Sequence, residues 1–400
     1  MVHILIAWEL GEAYGHLARC LQLAEGLVSR GYKVTLVLKD TQLPARYCGA
    51  DAFTVLPTPL SLHAGGRSFF PVNYAEVLIA SGFANAQDVA TRLKAWCEIF
   101  SSTSPDVLVA DHAPTALLAA RLADIPSLSI GNGFAIPPTV SPWPSIRPRE
   151  VVAEHVLLAA EERLNKVLTS AQQVLGHKKL VSMRDLFGAN DILDTFAELD
   201  HYRERSQGRY VGPIASMPQA LRIAWQSCGT IKVLAYLRPA ISGFNVIMQA
   251  LAQLDAEVLC ITPGLIPDVA KRYATHRLRI VLAPIDLLPL LEHADLSFSY
   301  GNSGFSTQAL LAGVPLAMRP RYVEQALFAY QVEALGAGKL LAGRIDVNSV
   351  TTSLHELLAN SSYRRSAYTF REKFRNFSQA QALEHSLCLI EQVFLNGSCE

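Results

Sequence analysis

At 400 residues the chain is too long for one comfortable core and predicts about two or three domains; with half its residues hydrophobic and 18% charged it is no disordered or filamentous chain. The 35 basic and 35 acidic side chains cancel, so no net field draws it to nucleic acid or anionic lipid, and a small molecule is the expected partner. The seven cysteines are odd in number and scattered without CxxC or Cys–His clustering, which suggests neither a disulfide framework nor a zinc site but reduced thiols in the cytoplasm. The N-terminus has no basic region, and its apolar run is too short for a signal peptide or a membrane span.

The first half opens with a buried strand (Val2 to Ala7), a loop (Trp8 to Tyr14) and a helix from Gly15 to Ser29. Leu17, Leu21, Ala24 and Leu27 recur at helical spacing, and Gly31 supplies a left-handed stop before a second strand, Lys33 to Leu38. Strands are also predicted at Phe53 to Leu56, Val107 to Ala110 and Ser127 to Ile130, with a helix from Pro114 to Leu122. Two segments rich in Gly, Pro and aromatics, Leu60 to Tyr74 and Asn132 to Pro148, stand where loops at the carboxyl ends of parallel strands stand, as walls of a substrate pocket.

A long helix from Glu150 to Val174 and a polar, charged region follow, and then weak periodicity from Ala215 to Gly229. The pattern restarts with strands at Ile231 to Leu237, Glu257 to Thr262, Arg279 to Leu282 and Leu296 to Ser299, helices at Phe244 to Leu254 and Ser306 to Ala312, and a strand at Pro315 to Arg319. Alternating strand and helix predicts an α/β protein of two parallel sheets, each with helices on both faces. The expected domains are 1–212 and 231–378, joined by a linker at 213–230, with the last helix, 379–395, packing back on the first domain.

Three places carry the chemistry. Gly11-Glu-Ala-Tyr-Gly-His16-Leu-Ala-Arg19 is neither a dinucleotide fingerprint nor a Walker loop, but it sets an imidazole at the mouth side of the first strand. Asp111 ends another buried strand on the same rim, beside a second imidazole, His112. A carboxylate bonded to an imidazole fixes its tautomer and stabilises the imidazolium formed on taking a proton, which a base for a hydroxyl needs. The alternative readings are a packing or cap role for His16 and an N-cap role for Asp111. The third place is Tyr300 to Gly338, where a Gly-rich turn (Asn302, Ser303, Gly304) opens a helix that can seat a phosphate, and Glu324-Gln325 can grip sugar hydroxyls.

These residues resemble the nucleotide-sugar glycosyltransferases of the GT-B fold, in particular family 1. The match runs over nearly the whole chain: Gly-His-x-x-Arg/Pro at Gly15 to Arg19, Pro-Asp-hydrophobic-Asp at Pro105 to Asp111, Val-Gly-Pro at Val211 to Pro213, and the donor signature at Tyr300 to Gly338, with Gln308 to Pro315 and Glu324-Gln325. The resemblance implies two Rossmann-like domains facing each other across a cleft. It implies an inverting, metal-independent transfer from a UDP- or dTDP-sugar to an acceptor hydroxyl, with no cofactor, His16 as general base and Asp111 orienting it. The nucleobase would lie against Pro284 and Ile285, the diphosphate on Asn302 to Ser306, and the sugar on Glu324 and Gln325.

The chain departs from that pattern at several positions. Tyr300 stands where the family has a phosphate-contacting histidine, Phe305 where it has Ser or Thr, Gln308 where it has a ribose-binding Glu, and Phe328 where it has Asn. Ser303, Ser306 and Thr307 are candidate substitutes for the missing hydroxyl. Arg238-Pro239 replaces a Gly-Ser/Thr loop, and its guanidinium is a bidentate match for a diphosphate. Phe69, Phe70, Tyr74, Phe83 and Trp143 line either an apolar, aromatic acceptor face or core. A GT-B pseudoenzyme that binds without turnover and a nucleotide-sugar 2-epimerase are the alternative functions.

Overall fold

The computed structural model describes residues 1–11, 14–41, 53–61, 70–203, 205, 207–214, 221–227 and 230–395. Residues 62–69 of the first expected pocket wall, Phe69 among them, and 215–220, 228 and 229 of the expected linker lie outside the described residues. The chain divides into two compact units, Met1–Ser216 with Ser378–Glu400, and Met217–Phe377.

In the first unit the elements run β1 (His3–Trp8), α1 (Tyr14–Ser29), β2 (Lys33–Leu38), β3 (Thr54–Pro57), α2 (Tyr74–Leu78), α3 (Ala86–Thr103), β4 (Val107–Asp111), α4 (Pro114–Leu122), β5 (Ser127–Gly131), α5 (Glu154–Val174), β6 (Ile192–Leu193) and β7 (Arg209–Tyr210). The strands form one sheet in the order β3–β2–β1–β4–β5–β6–β7, every pair parallel. All six residues of β1 and all five of β4 are buried, as befits central strands covered on both faces. The order reverses between β1 and β4, so the loops leaving these two strands splay apart and open a crevice at their carboxyl ends.

Four elements here were not expected from the sequence, the short helix α2 among them. Helix α3 is capped by the Asn85 side chain, which accepts from the Asp88 amide, and buries Val89, Leu93, Trp96 and Phe100 along one stripe. β6 and β7 are two residues long, too short for any periodicity, and they lie within the stretch expected only to be polar and charged. β6 is buried and β7 half-buried, both through the sheet they extend.

The second unit runs β8 (Lys232–Tyr236), α6 (Phe244–Gln253), β9 (Glu257–Ile261), α7 (Pro267–Tyr273), β10 (Leu278–Val281), α8 (Leu288–Leu291), β11 (Leu296–Ser299), α9 (Ser303–Leu311), β12 (Leu316–Met318), α10 (Val323–Ala334), β13 (Gly338–Leu340), α11 (Val347–Ala359) and α12 (Ser361–Lys373). Its sheet, β10–β9–β8–β11–β12–β13, is again parallel throughout, with its reversal between β8 and β11. Helix α9 begins at Ser303, three residues before the expected start, so Ser303 and Gly304 form its first turn rather than the loop ahead of it.

The last helix, α13 (Gln379–Leu395), packs on α1 within the first unit. Arg30 bridges Glu384 and Glu391, the Tyr32 hydroxyl donates to Glu391, and Leu387 lies so close to Gly26 that a Cβ there would meet it at 2.6 Å. Among the described residues no helix is long and apolar enough to cross a membrane.

Candidate active site

Both groups of residues singled out in the sequence sit at the reversal points of their sheets. In the first unit the loop after β1 is pinned from several sides. The Leu10 amide donates to the His112 carbonyl (3.0 Å), Lys39 Nζ donates to the Gly11 carbonyl (3.0 Å), and the indole of Trp8 donates to the Leu10 carbonyl (2.7 Å). Buried Glu9 accepts from the Trp96 indole (2.6 Å) and from the Thr115 amide at the start of α4 (2.8 Å), where the helix dipole favours an anion.

That loop presents His16 from the first turns of α1. The Trp8 ring stacks on its imidazole at 5.5 Å and 14°, and Asp111 Oδ1 lies 2.8 Å from its Nδ1. An ionised Asp111 accepts from Nδ1–H, which leaves the lone pair on Nε2. Gly11 stands against that nitrogen with φ of +88°, and a Cβ there would lie 2.4 Å from Nε2. Glycine is therefore needed twice over, for its backbone angle and to keep Nε2 accessible.

Asp111 is 1% exposed. Burial alone would raise its pKa, but the charges of Arg19 and His16 and their hydrogen bonds outweigh that and hold the carboxyl below its usual range. Arg19 Nη1 donates to Asp111 Oδ2 at 2.5 Å, and its Nε donates to Asp194 Oδ2, also at 2.5 Å. His112 takes no part in this chain: burial, with the charge of His16 second, pushes its pKa down to about 3, and the imidazole is neutral at physiological pH. Two equivalent-looking histidines in the sequence thus separate into one that pairs with a carboxylate and one that does not.

Arg19 and Asp194 were not among the expected site residues. Arg19 carried a legible signal, a charge inside the apolar run Leu17-Ala18-Arg19-Cys20-Leu21, which needs a buried partner. Asp194 carried a weaker one, the Asp-Ile-Leu-Asp pattern that brackets β6. Of the aromatics offered as a pocket lining, Tyr74, Phe83 and Trp143 are core, Tyr74 and Trp143 meeting edge to face at 5.8 Å, while Phe70 is 77% exposed.

In the second unit β11 leads through Tyr300 and Gly301 to the N-terminus of α9. The Asn302 side chain makes no cap bond there, and its Oδ1 has no hydrogen-bond partner among the described residues. The first-turn amides of a helix lack intrahelical acceptors, so Ser303, Gly304 and Phe305 aim theirs outward from the switch point. Ser303 is half-buried and Gly304 exposed. Ser306 is fully buried and its hydroxyl is bonded to that of Ser299 (2.9 Å), which in turn accepts from the Gly301 amide (3.0 Å). Ser306 therefore shapes the turn instead of offering its hydroxyl outward. Phe305 is core, 5.5 Å from Tyr236, and Gln308 is half-buried.

Arg238, leaving β8, hydrogen-bonds the phenol of Tyr300, which is 9% exposed, and Glu324 lies within electrostatic reach of the same phenol. Burial raises the Tyr300 pKa against the opposing pull of Arg238. Gln325 does not project as a free side chain: its Oε1 accepts from the amides of Arg321 (3.0 Å) and Tyr322 (3.3 Å) and caps α10. Pro284 and Asp286 pair with Leu221 as a short parallel bridge, so the backbone groups of Ile285 point to the opposite side of that ribbon.

Gly301 ties the two loops together. Its φ is +79°, and a Cβ there would lie 2.8 Å from the carbonyl oxygen of Gln325. Gly301→Ala is expected to cost about 2–3 kcal/mol, combining the left-handed penalty with a forced backbone shift. Gly304→Ala, with nothing within 4 Å of its Cβ, is expected to be neutral or slightly stabilising. Denaturant unfolding of the pair measures the contrast, and equal losses would remove this role from Gly301.

No family model matches the chain. It is 26% identical over 91% of its length to a PGL/p-HBAD biosynthesis glycosyltransferase of Mycobacterium tuberculosis, covering 87% of that protein. It is 23% identical to the NDP-glycosyltransferase YjiC of Bacillus subtilis, with 82% of each chain covered. Among solved structures, the glycotransferase of kitacinnamycin superposes with a TM-score of 0.68 at 17% identity, covering 98% of both chains. The spinosyn rhamnosyltransferase SpnG does so at 0.66 and 19%, covering 97% of this chain and 99% of its own. With two parallel-sheet units and relatives of this kind along nearly its whole length, the chain is a glycosyltransferase of the GT-B type.

Proposed function

We propose that the protein transfers a sugar from a UDP- or dTDP-sugar to the hydroxyl of a small apolar or aromatic acceptor, by inversion and without a metal, with His16 as general base. The 2.8 Å contact between His16 Nδ1 and Asp111 Oδ1 carries this reading. It leaves Nε2 to take the acceptor proton while the hydroxyl oxygen attacks the anomeric carbon and the nucleoside diphosphate departs. The departing charge is met by the first-turn amides of α9 and by Arg238, both on the second unit.

Gln308 in place of a charged ribose partner favours a donor with less demand at the ribose, and solved relatives include VinC in complex with dTDP and SpnG complexed with thymidine diphosphate. The scattered cysteines, of which Cys20, Cys97, Cys260 and Cys388 are free, suit a reducing cytoplasm.

Thermal shift with UDP, GDP and dTDP, followed by mass-spectrometric turnover of the matching sugars, tests the proposal. A nucleotide at a hundred times its dissociation constant adds about 2.7 kcal/mol, an easily read shift. Stabilisation by dTDP or UDP is expected, and Arg238→Ala is expected to weaken it by about ten- to a hundredfold, the size of a charge-assisted contact. A protein indifferent to all three nucleotides would sink the donor assignment.

A further inference from the structure

The geometry points to Arg19 and Asp194 as positioning residues that extend the His16–Asp111 pair into a four-member charge chain and set how tightly His16 holds its proton. Arg19 follows His16 by three residues on α1, so the two side chains leave the same face of the helix. Each oxygen of Asp111 is then committed, Oδ1 to His16 Nδ1 and Oδ2 to Arg19 Nη1, and the carboxylate cannot turn away from the imidazole. The guanidinium in turn spends its Nε on Asp194, which β6 delivers to the same point through the hydrogen bond from the Asp194 amide to the Gly131 carbonyl (2.9 Å). All four groups belong to one unit.

The chain matters because it fixes the charge that His16 senses. Burial pushes the Asp194 carboxyl up while the Arg19 guanidinium pulls it back down; with both carboxyls ionised, Asp111 and Asp194 carry two negative charges and Arg19 one positive, so the imidazole faces a net charge of −1 behind it. Removing the Asp194 charge makes that sum zero, and removing the Arg19 charge makes it −2. The other titratable groups around the imidazole stay the same in every variant: His112 with its ring 6.2 Å away, Lys39 on the Gly11 carbonyl, Glu9 in the preceding loop and the Cys20 thiol beside Asp111. Differences between variants therefore isolate the Arg19–Asp194 pair.

This inference rests on His16 being the base of the proposed transfer, and its test reads the imidazole directly. Proton–carbon NMR would follow the His16 Cε1 resonance against pH in the full chain, assigned by its loss in His16→Gln, with no donor or acceptor present. Asp194→Asn, close to isosteric, is expected to lower the midpoint by about one pH unit, because Arg19 is left uncompensated. Arg19→Met is expected to raise it by a similar amount, and the double variant to return it toward the original value. A His16 midpoint unmoved in folded Asp194→Asn overturns the inference, and that variant decides alone if Arg19→Met fails to fold. A midpoint that moves in a protein making no product from any donor would instead sink the proposed transfer and leave the charge chain standing.

Discussion

His16→Ala is expected to lower kcat for sugar transfer by about a hundred- to ten-thousandfold, the range of a lost general base, and to leave nucleoside diphosphate binding unchanged. An acceptor hydroxyl is a poor nucleophile until its proton is taken, and among the described residues His16 is the imidazole bonded to a carboxylate on that rim. His112 cannot substitute, since its burial holds it as a base far weaker than free imidazole. The His16 side chain is 22% exposed, so its truncation opens no sealed cavity and should cost little stability. The measurement is product formation beside the dTDP- or UDP-induced thermal shift of the same sample. Retention of activity within about tenfold of the unsubstituted protein would remove His16 from the mechanism.

The legible parts of this molecule are those with long periodic or fully apolar runs. β1 and β4 are continuous apolar segments bounded by polar rims, and α1 has a clear stripe, so both the sheet and the residues at its carboxyl end followed from the sequence. The start of α9 did not, because Ser303 and Gly304 are turn formers by composition, and only the outward demand of a helix N-terminus at a switch point draws them into the first turn. β6 was invisible for a different reason. Two residues have no period, and Ile192-Leu193 become a strand through β5 on one side and β7 on the other. Asp194 was lost with it, and so was the far half of the charge chain. The Arg238–Tyr300 bond is a third kind of case: the two residues stood out separately, Tyr300 as a departure in a histidine's place and Arg238 as a match for a diphosphate, but their direct pairing depends on two strands meeting at the sheet reversal.

The pairing at Asp111 makes a sharper demand than His16 itself. Asp111→Asn keeps the volume and an oxygen, yet it removes the charge that orders two neighbours. The amide can present its carbonyl to only one of His16 and Arg19, so either the imidazole loses the acceptor that keeps the proton on Nδ1 or the guanidinium loses a buried carboxylate. A wrong tautomer places a proton on the nitrogen that has to accept one, and for that reason kcat is expected to fall by about a hundred- to ten-thousandfold, comparable with losing the base. Stability should fall as well, by about 1–3 kcal/mol, because Asp194 still compensates Arg19 and the full cost of an unpaired buried charge is avoided. The pH dependence gives the sign. The folded-state pKa of Asp111 lies below its unfolded value, so its contribution is complete above the unfolded carboxylate pKa of about 4 and is lost as pH falls through the lower folded value. The stability gap between Asp111→Asn and the unsubstituted protein should therefore be widest near neutrality and close toward strong acid. Paired denaturant titrations across that range check it, and a gap that widens in acid would mean that Asp111 is protonated in the folded protein and could not serve His16.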